Sequence, residues 1–258
     1  MSAVAVETWW MAVRRLKATT GQPIFLVISL IQPVIWLFLF GSLFRRVVEL
    51  PGFGATSYLD YLVPGVVAMN ALAVNMWAGM VTLEEIGQGT LDRFLTTPVS
   101  RLAIINGNVA EQAVGTAFQS TVIVVLGWLA GAAYPGGFAG VLVLVALSVV
   151  LGTVFGSLSN AIGMLVRQRE SIIGINTFLL LPLTFLSTVF MVRELMPGWM
   201  QALVRFNPLD WATQAGRSAI SVDPDWTLVA SRGGLLLALA AAAVALSVRT
   251  FGSYQKAV

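Results

Sequence analysis

The sequence predicts an all-α integral membrane protein: six transmembrane helices, an amphipathic interface helix near the N-terminus and two short outer re-entrant helices. Composition is the first observation behind this prediction, since 57% of the 258 residues are hydrophobic and only 10% are charged. A soluble domain carries about 25% charged residues, so this chain cannot cover a water-facing surface. The second observation is a series of long apolar runs. Together they exclude a soluble enzyme, a nucleic-acid-binding domain and a disordered linker.

The apolar runs place the six spans, because about 20 helical residues cross the hydrocarbon layer of a bilayer. We predict spans at about 24–44, 61–83, 112–134, 138–166, 171–192 and 228–248. Little sequence remains for a domain outside the membrane. We therefore expect residues 1–258 to form a single transmembrane domain.

The distribution of basic residues predicts that both termini are cytoplasmic. In that orientation nine of the 15 Lys and Arg residues fall in inner segments and six in outer ones, as the positive-inside rule requires. The basic group at residues 14–17 precedes an apolar run longer than that of a signal peptide, so we expect an uncleaved first span. The excess of Arg over Lys suggests a GC-rich bacterial genome, and hence the bacterial cytoplasmic (inner) membrane.

An amphipathic interface helix is predicted over residues 3–19. Charged Glu7, Arg14 and Lys17 lie opposite an apolar face formed by Val6, Trp9, Trp10, Val13 and Leu16. Such a helix lies flat at a membrane surface. Two roles stay open from these residues: an anchor for the next span, or a docking surface for a cytoplasmic partner.

The segment between the second and third spans, residues 84–101, predicts a short amphipathic helix between two turns. Gly87 and Gly89 interrupt the preceding helix, and Pro98 ends the short one. Between them, Leu91, Phe94 and Leu95 share one face. A short helix parallel to the membrane can transmit a push from a cytoplasmic partner, whereas a solvated connector would lack the apolar face.

The strings Gly89-Thr90-Leu91-Asp92-Arg93 and Thr97-Pro98-Val99-Ser100-Arg101 resemble the signature of type-2 ABC export permeases. In that family this loop carries the coupling helix, which sits in a groove of the ATPase subunit. The resemblance implies that coupling to the ATPase involves Gly89, Thr90, Leu91, Asp92, Arg93, Phe94, Pro98 and Arg101.

Further motifs are similar to the antibiotic-exporting branch of that family, typified by daunorubicin resistance permeases. They are Gln32-Pro33 in the first span and Tyr61 to Gly65 at the start of the second. The polysaccharide-exporting branch opens with a different basic and tyrosine-containing segment. The resemblance implies an assembly of two permeases, two copies of this chain or this chain with a close homologue, and two ATPases. ATP and Mg would be bound by the ATPases.

The 35 residues between spans five and six predict two short outer helices, at about 197–205 and 210–220, separated by Asn207-Pro208. Asp210 is placed to cap the second helix. The family resemblance implies that these helices dip into the outer leaflet and close the export path, with Asn207 and Pro208 at an outer gate. An ordinary interfacial cap is the alternative.

Neutral polar residues within the spans indicate a candidate substrate path. Span five carries Thr177, Thr184 and Thr188 in one predicted stripe, and span two carries Asn70 and Trp77 on one face. Buried amides and hydroxyls need partners, so these faces point at protein or at a cavity. Helix packing and a lining for an amphipathic substrate both remain open. In span four, small residues from Ser148 to Gly163 favour close helix packing.

The chemistry of the chain favours a transport permease that is not an enzyme. Without His or Cys it lacks the usual general base, nucleophile and zinc ligands, so we expect no metal and no bound cofactor. Neither lysine lies in an ATP-binding phosphate loop, so a separate ATPase must hydrolyse ATP. We expect export of an amphipathic small molecule, such as a drug or antibiotic, or of a lipid, with no nucleic-acid partner. A permease for polysaccharide or glycolipid is the alternative, and a secondary transporter is a weaker one.

Overall fold

The structure of the protein is a computed structural model that describes residues 3–20, 23–49, 57–89 and 101–254. All of the regular secondary structure assigned within these ranges is helical. The α-helices are α1 (Ala3–Thr20), α2 (Pro23–Leu43), α3 (Tyr58–Asn75), α4 (Ala78–Gly87), α5 (Arg101–Leu129), α6 (Gly137–Val166), α7 (Arg169–Phe185), α8 (Gly198–Val204), α9 (Pro208–Ile220) and α10 (Trp226–Tyr254). Short 3₁₀ helices lie at Arg45–Glu49 and Arg193–Leu195.

The fold is that of an all-α membrane protein. Four helical stretches in the described ranges are long and apolar enough to cross a bilayer: Tyr58–Gly87, Asn106–Leu129, Gly137–Val166 and Trp226–Gly252. They correspond to the predicted second, third, fourth and sixth spans. The first predicted span corresponds to α2. The fifth corresponds to α7, and the count of six stays a prediction.

Helix α6 occupies the centre of the bundle. It packs against α3, α4, α5, α9 and α10. Its small residues permit this, because added side chains would strike neighbouring backbone: a Cβ at Gly163 would lie 2.5 Å from the carbonyl oxygen of Gly79. A Cβ at Gly79 would in turn collide with Ser159. The predicted close packing of the fourth span is confirmed.

The second span consists of two helices, α3 and α4, which are separated by a break at Met76 and Trp77. Three side-chain contacts explain the break. The carbonyl oxygen of Met76 accepts hydrogen bonds from Ser159 Oγ and, at 2.6 Å, from Asn176 Nδ2. The Gly79 amide donates to Ser159 Oγ at 2.9 Å. Polar groups of α6 and α7 thus replace helical hydrogen bonds at the break.

Two span boundaries differ from the prediction. Helix α5 begins at Arg101 and ends at Leu129 instead of near residue 134, because Gly131 adopts a positive φ of 101° in the following turn. Helix α7 ends at Phe185 instead of continuing to residue 192. Its 17 residues span about 26 Å at 1.5 Å per residue, slightly less than the hydrocarbon layer. The predicted polar stripe therefore leaves the helix before Thr188.

Both short helices predicted after the fifth span are present, as α8 and α9. The predicted cap of the second is wrong, because α9 begins at Pro208 and its N-cap is Asn207, whose side chain accepts a hydrogen bond from the Leu209 amide at 2.9 Å. Asp210 instead bonds to Thr188, outside its helix, and to Gln214 one turn further along α9. Helix α9 packs against α3, α6 and α10.

Helix α1 matches the predicted interface helix. Trp9 and Trp10 are 63% and 65% exposed, whereas Ala12 is buried where α1 packs against α5. Most of the predicted coupling segment, residues 90–100, lies outside the described residues.

Candidate functional site

A cleft of about 160 Å³ lies between α2, α3 and α7. It brings together two of the five predicted path residues, Asn70 and Thr184. Its other lining residues are Gln32, Pro33, Trp36, Met69, Ala73, Leu180, Leu181 and Phe185. This cleft is the candidate functional site.

The cleft is apolar with a few neutral polar groups. No lining residue is charged, and the polar ones are Gln32, Asn70 and Thr184. Asn70 is held in place because its Nδ2 donates to Gln119 Oε1 on α5 at 2.9 Å. Such a surface accepts an amphipathic molecule and penalises an unpaired charge.

Trp36, which lines the cleft, belongs to a cluster of aromatic rings. The Trp36 ring lies 4.8 Å from Phe40 and 5.6 Å from Phe190, measured between centroids. Phe40 and Phe190 are themselves 4.9 Å apart. Phe190 lies after the end of α7. The sequence analysis did not predict that it would contact the first span.

The other three predicted path residues lie elsewhere. Trp77 is 40% exposed at the break between α3 and α4. Thr177 is exposed on α7 and does not line the cleft. Thr188 is buried in the outer segment, which we define as residues 186–192 between α7 and the following 3₁₀ helix.

The outer segment is not helical, so its backbone groups need other partners. Arg217 of α9 supplies several: it donates to the carbonyl oxygens of Thr188 at 2.6 Å and Val189 at 3.0 Å, and to that of Tyr61 at 2.9 Å. Its guanidinium carbon also lies 3.4 Å from the centre of the Tyr61 ring. The planar fork of Arg suits this multiple recognition.

Two tyrosines of α3 complete the support of the outer segment. Tyr61 Oη donates to the carbonyl oxygen of Thr188 at 2.7 Å, and Tyr58 Oη donates to that of Phe190 at 3.0 Å. The Tyr61 motif was noted in the sequence for its resemblance alone. The structure gives it a physical role, which is to hold non-helical backbone against the second span.

Asp210 fixes the outer segment from the other side. Its Oδ1 accepts hydrogen bonds from the Thr188 amide at 2.9 Å and from Thr188 Oγ1 at 2.5 Å. Its Oδ2 accepts one from Gln214 Nε2 at 2.5 Å. Asp210 and Arg217 were not predicted as site residues, although two opposite charges in a short, otherwise weakly polar helix are the signal that could have indicated them.

The predicted outer-gate residues Asn207 and Pro208 lie at the start of α9. Asn207 is buried, and its Nδ2 donates to the carbonyl oxygens of Leu183 at 2.7 Å and Leu186 at 2.6 Å. Leu183 lies in the last turn of α7 and Leu186 is its C-cap, so one side chain caps the end of α7 and the start of α9. Pro208 occupies the first position of α9, where a missing amide costs nothing.

The two ends of the predicted coupling loop are described, although its middle is not. Gly89 follows α4 with a positive φ of 64°, and Arg101 begins α5. At the end of α4, Glu85 forms an ion pair with Arg15 of α1 and lies 3.6 Å from Arg14 Nη2. The interface helix and the helix leading into the loop are therefore joined directly.

The model of the ABC-2 type transporter family matches residues 6–220, which include the cleft, the outer segment and α9. The chain belongs to the ABC-2 type transporter family. It is an ABC-2 permease, and its match leaves out only the N-terminal end and the region of α10.

Individual relatives agree with this assignment. The chain is 30% identical over 221 residues to the daunorubicin resistance ABC transporter permease protein DrrB1 of Streptomyces coeruleorubidus, covering 84% of this chain and 74% of the relative. It is 26% identical to the inner membrane transport permease YadH of Escherichia coli strain K12, covering 83% of each. The probable multidrug ABC transporter permease YbhR of the same strain is 30% identical over 159 residues, 59% of this chain and 41% of that protein.

Proposed function

We propose that this ABC-2 permease is the membrane-spanning subunit of an ATP-driven exporter, which moves an amphipathic small molecule or lipid out of the cytoplasm or inner leaflet. The observation that carries the proposal is the uncharged cleft between α2, α3 and α7, in a chain related to a daunorubicin resistance permease. Six spans in a single domain over residues 1–258, with both termini in the cytoplasm, complete the proposed topology.

The cleft supports the substrate class on physical grounds. Its three polar side chains are neutral and are surrounded by apolar and aromatic groups such as Trp36 and Phe185. A polyanion passing this surface would have to leave its charges unpaired in a low-dielectric environment, which costs several kcal/mol per ion. A drug, antibiotic or lipid with a large apolar surface would gain free energy there by the same burial.

The driving force is proposed to come from a separate ATPase, with ATP and Mg bound on that partner. The coupling segment of Gly89 to Arg101 would sit on the ATPase. The Glu85 ion pair with Arg15 supports this, because it joins the helix that leads into the segment to the interface helix. A movement of the segment would then act on α1 and α4 together.

We propose that two copies of this chain, or this chain and a close homologue, assemble with two ATPase subunits in a bacterial inner membrane. A single permease offers a cleft of only about 160 Å³, open on the side of α2 and α7. Exposed apolar side chains of those helices, among them Ile31, Ile35, Phe178 and Leu181, supply a surface for the second permease.

The outer segment and α9 are proposed to close the export path. Asn207 and Pro208 would form the pivot, because Asn207 bonds to the end of α7 and also caps α9. Opening would separate the outer segment from α9, at the contacts of Thr188 with Asp210 and Arg217.

The test is substrate-stimulated ATP hydrolysis by the permease reconstituted with its ATPase. Hydrophobic drugs and lipids are compared with oligosaccharide-linked lipids. Stimulation by the first group, with movement of the compound across the membrane, supports the proposal. Stimulation by saccharide-linked lipids alone would replace it by polysaccharide or glycolipid export, for which Trp36 in the cleft offers a stacking surface. Transport that needs no ATPase would indicate a secondary transporter and overturn the proposal.

A further inference from the structure

A second cavity, of about 140 Å³, shares no lining residue with the cleft. We call it the inner cavity. It is enclosed by α1, the break between α3 and α4, α5 and α6. The residues that carry the argument are Arg15, Trp77, Val81, Glu111, Gln112 and Gly115.

Several polar side chains near the inner cavity are hydrogen-bonded to each other, but the amide oxygen of Gln112 is not. Asn75 Nδ2 donates to Thr116 Oγ1 at 2.8 Å, and Thr82 Oγ1 donates to Asn160 Oδ1 at 2.8 Å. In contrast, Gln112 Oε1 is buried and accepts no hydrogen bond from the described part of the chain. A buried acceptor that receives no hydrogen bond is unfavourable, so Gln112 Oε1 is available to accept one from a donor group of a ligand.

Both signs of charge face the same cavity. Arg15 is largely buried and bonds to Glu85 through one nitrogen, Nη2, and a guanidinium has five N–H donors, so donors remain for an anion. Glu111 of α5 is half-buried and lines the cavity as well. A ligand that carries a phosphate and a primary ammonium would match Arg15 and Glu111 together.

The position of the cavity suits a lipid of the inner leaflet. Glu111 is the last charged residue before the uncharged run of α5 from 112 to 129, so it lies where the apolar part of that span begins. The mouth exposes Trp77 at 40% and Val81 at 48%, within a stretch apolar enough to span a membrane. A headgroup inside the cavity would leave its acyl chains along these two side chains.

We infer that the inner cavity binds the headgroup of a zwitterionic phospholipid of the ethanolamine type. Its phosphate accepts hydrogen bonds from Arg15, and its ammonium donates to Glu111 and to Gln112 Oε1. Charge-assisted hydrogen bonds of this kind are stronger than neutral ones. A choline headgroup has the same charges but no N–H to donate, so it is bound less well. This site shares no lining residue with the cleft, and the inference does not depend on which substrate is transported.

The test measures bound lipid on the purified permease by native mass spectrometry, without ATPase or substrate. The probe is an equal mixture of ethanolamine, choline and glycerol phospholipids with identical chains. We expect several-fold more ethanolamine adduct than either of the others. Equal adducts of all three lipids would overturn the inference. Preference for the anionic glycerol lipid would also overturn it, because binding would then depend on the charge of Arg15 alone and not on an ammonium at Glu111.

Two variants locate the site, each with a matched control. A Cβ at Gly115 meets nothing within 4 Å, so Gly115→Leu places a larger side chain in the lining of the cavity and should abolish the preference. Gly174→Leu is the control, since a Cβ there is also unhindered and lies outside the cavity. Glu111→Gln should reduce the ethanolamine preference to parity with choline, whereas Glu170→Gln, at an exposed acid, should not. An unchanged preference in Gly115→Leu would exclude this cavity.

Discussion

Arg217 on α9 donates a 2.6 Å hydrogen bond to the carbonyl oxygen of Thr188, five residues before the 3₁₀ helix at Arg193–Leu195 begins. The same guanidinium bonds to Tyr61 of α3. One side chain thus joins a membrane span, a non-helical segment and a short outer helix. Replacing Arg217 should therefore destabilise the outer segment before other parts of the protein.

Replacing Arg217 by lysine keeps the charge but loses the planar fork. We expect about tenfold faster amide hydrogen exchange in residues 186–192, because net losses of about 1 kcal/mol for each hydrogen bond lower the local opening free energy. Exchange in the centre of α6 should not change. Hydrogen-exchange mass spectrometry in detergent measures both, and equal protection of the outer segment in the two proteins would contradict the role of Arg217.

Replacing Asp210 by alanine removes the acceptor for the Thr188 amide and hydroxyl. We expect the permease to lose about 2 kcal/mol or more of stability, since hydrogen bonds to a charged group contribute about 1.5–3 kcal/mol. Thermal unfolding of the purified protein measures the change. Asp223→Ala is the matched control, because Asp223 is exposed in the turn after α9. Equal melting temperatures for the two variants would refute the assignment.

Close packing of α4 on α6 gives a prediction with a control in the same helix. Gly79→Ala should destabilise the protein by about 1–3 kcal/mol, because its Cβ would collide with Ser159 and overpacking carries that cost. Gly87→Ala, near the end of α4, should leave the melting temperature unchanged or slightly raised, since a Cβ there meets nothing within 4 Å. Similar effects of the two substitutions would mean that the contact with α6 is not tight.

The uncharged cleft is tested by Thr184→Val, which keeps the volume and removes a hydroxyl. If the cleft binds substrate, the concentration needed for half-maximal ATPase stimulation should rise about fivefold, the equivalent of about 1 kcal/mol for one hydrogen bond. Thr177→Val changes an exposed residue of the same helix outside the cleft and should have no effect. The opposite ranking would favour the original stripe of threonines over the cleft.

The proposed coupling segment is tested by Leu91→Pro and by joint replacement of Asp92 and Arg93 with alanine. Both should leave membrane insertion intact and separate ATP hydrolysis from transport, since proline inside a short helix costs about 3 kcal/mol or more. The control is the double variant Arg205→Ala with Asp223→Ala. It removes two exposed charges on the predicted outer side of the membrane. Normal transport by the Leu91→Pro variant would exclude the segment as the coupling element.

The sequence predicted best where a single local property decides the structure. The fourth span was predicted at 138–166 and α6 covers Gly137–Val166, because an uninterrupted apolar run leaves helix as the only way to bond its backbone in a membrane. The short helices α8 and α9 were likewise predicted to within a few residues, because Asn207 and Pro208 mark the boundary between them.

Prediction failed where the partner lies far along the chain. The break after Asn75 depends on Ser159 and Asn176, and the end of α7 depends on Asn207. None of these pairings changes the local hydropathy, so the second and fifth spans read as continuous. The cleft shows the same limit, since Asn70 and Thr184 were identified but Trp36 was not placed beside them.

The break between α3 and α4 also has a mechanical consequence. Helix α4 is ten residues long, or about 15 Å at 1.5 Å per residue, and its outer end is tied at Met76 to α6 and α7. A rigid rod of that length displaces its free end by about 1 Å for each 4° of tilt. A displacement of the cytoplasmic loop by a few ångströms therefore needs only a small rotation of α4 about Met76. That rotation would change the angle between α4 and α3 next to Asn176, which lies on α7, the helix that forms one wall of the cleft.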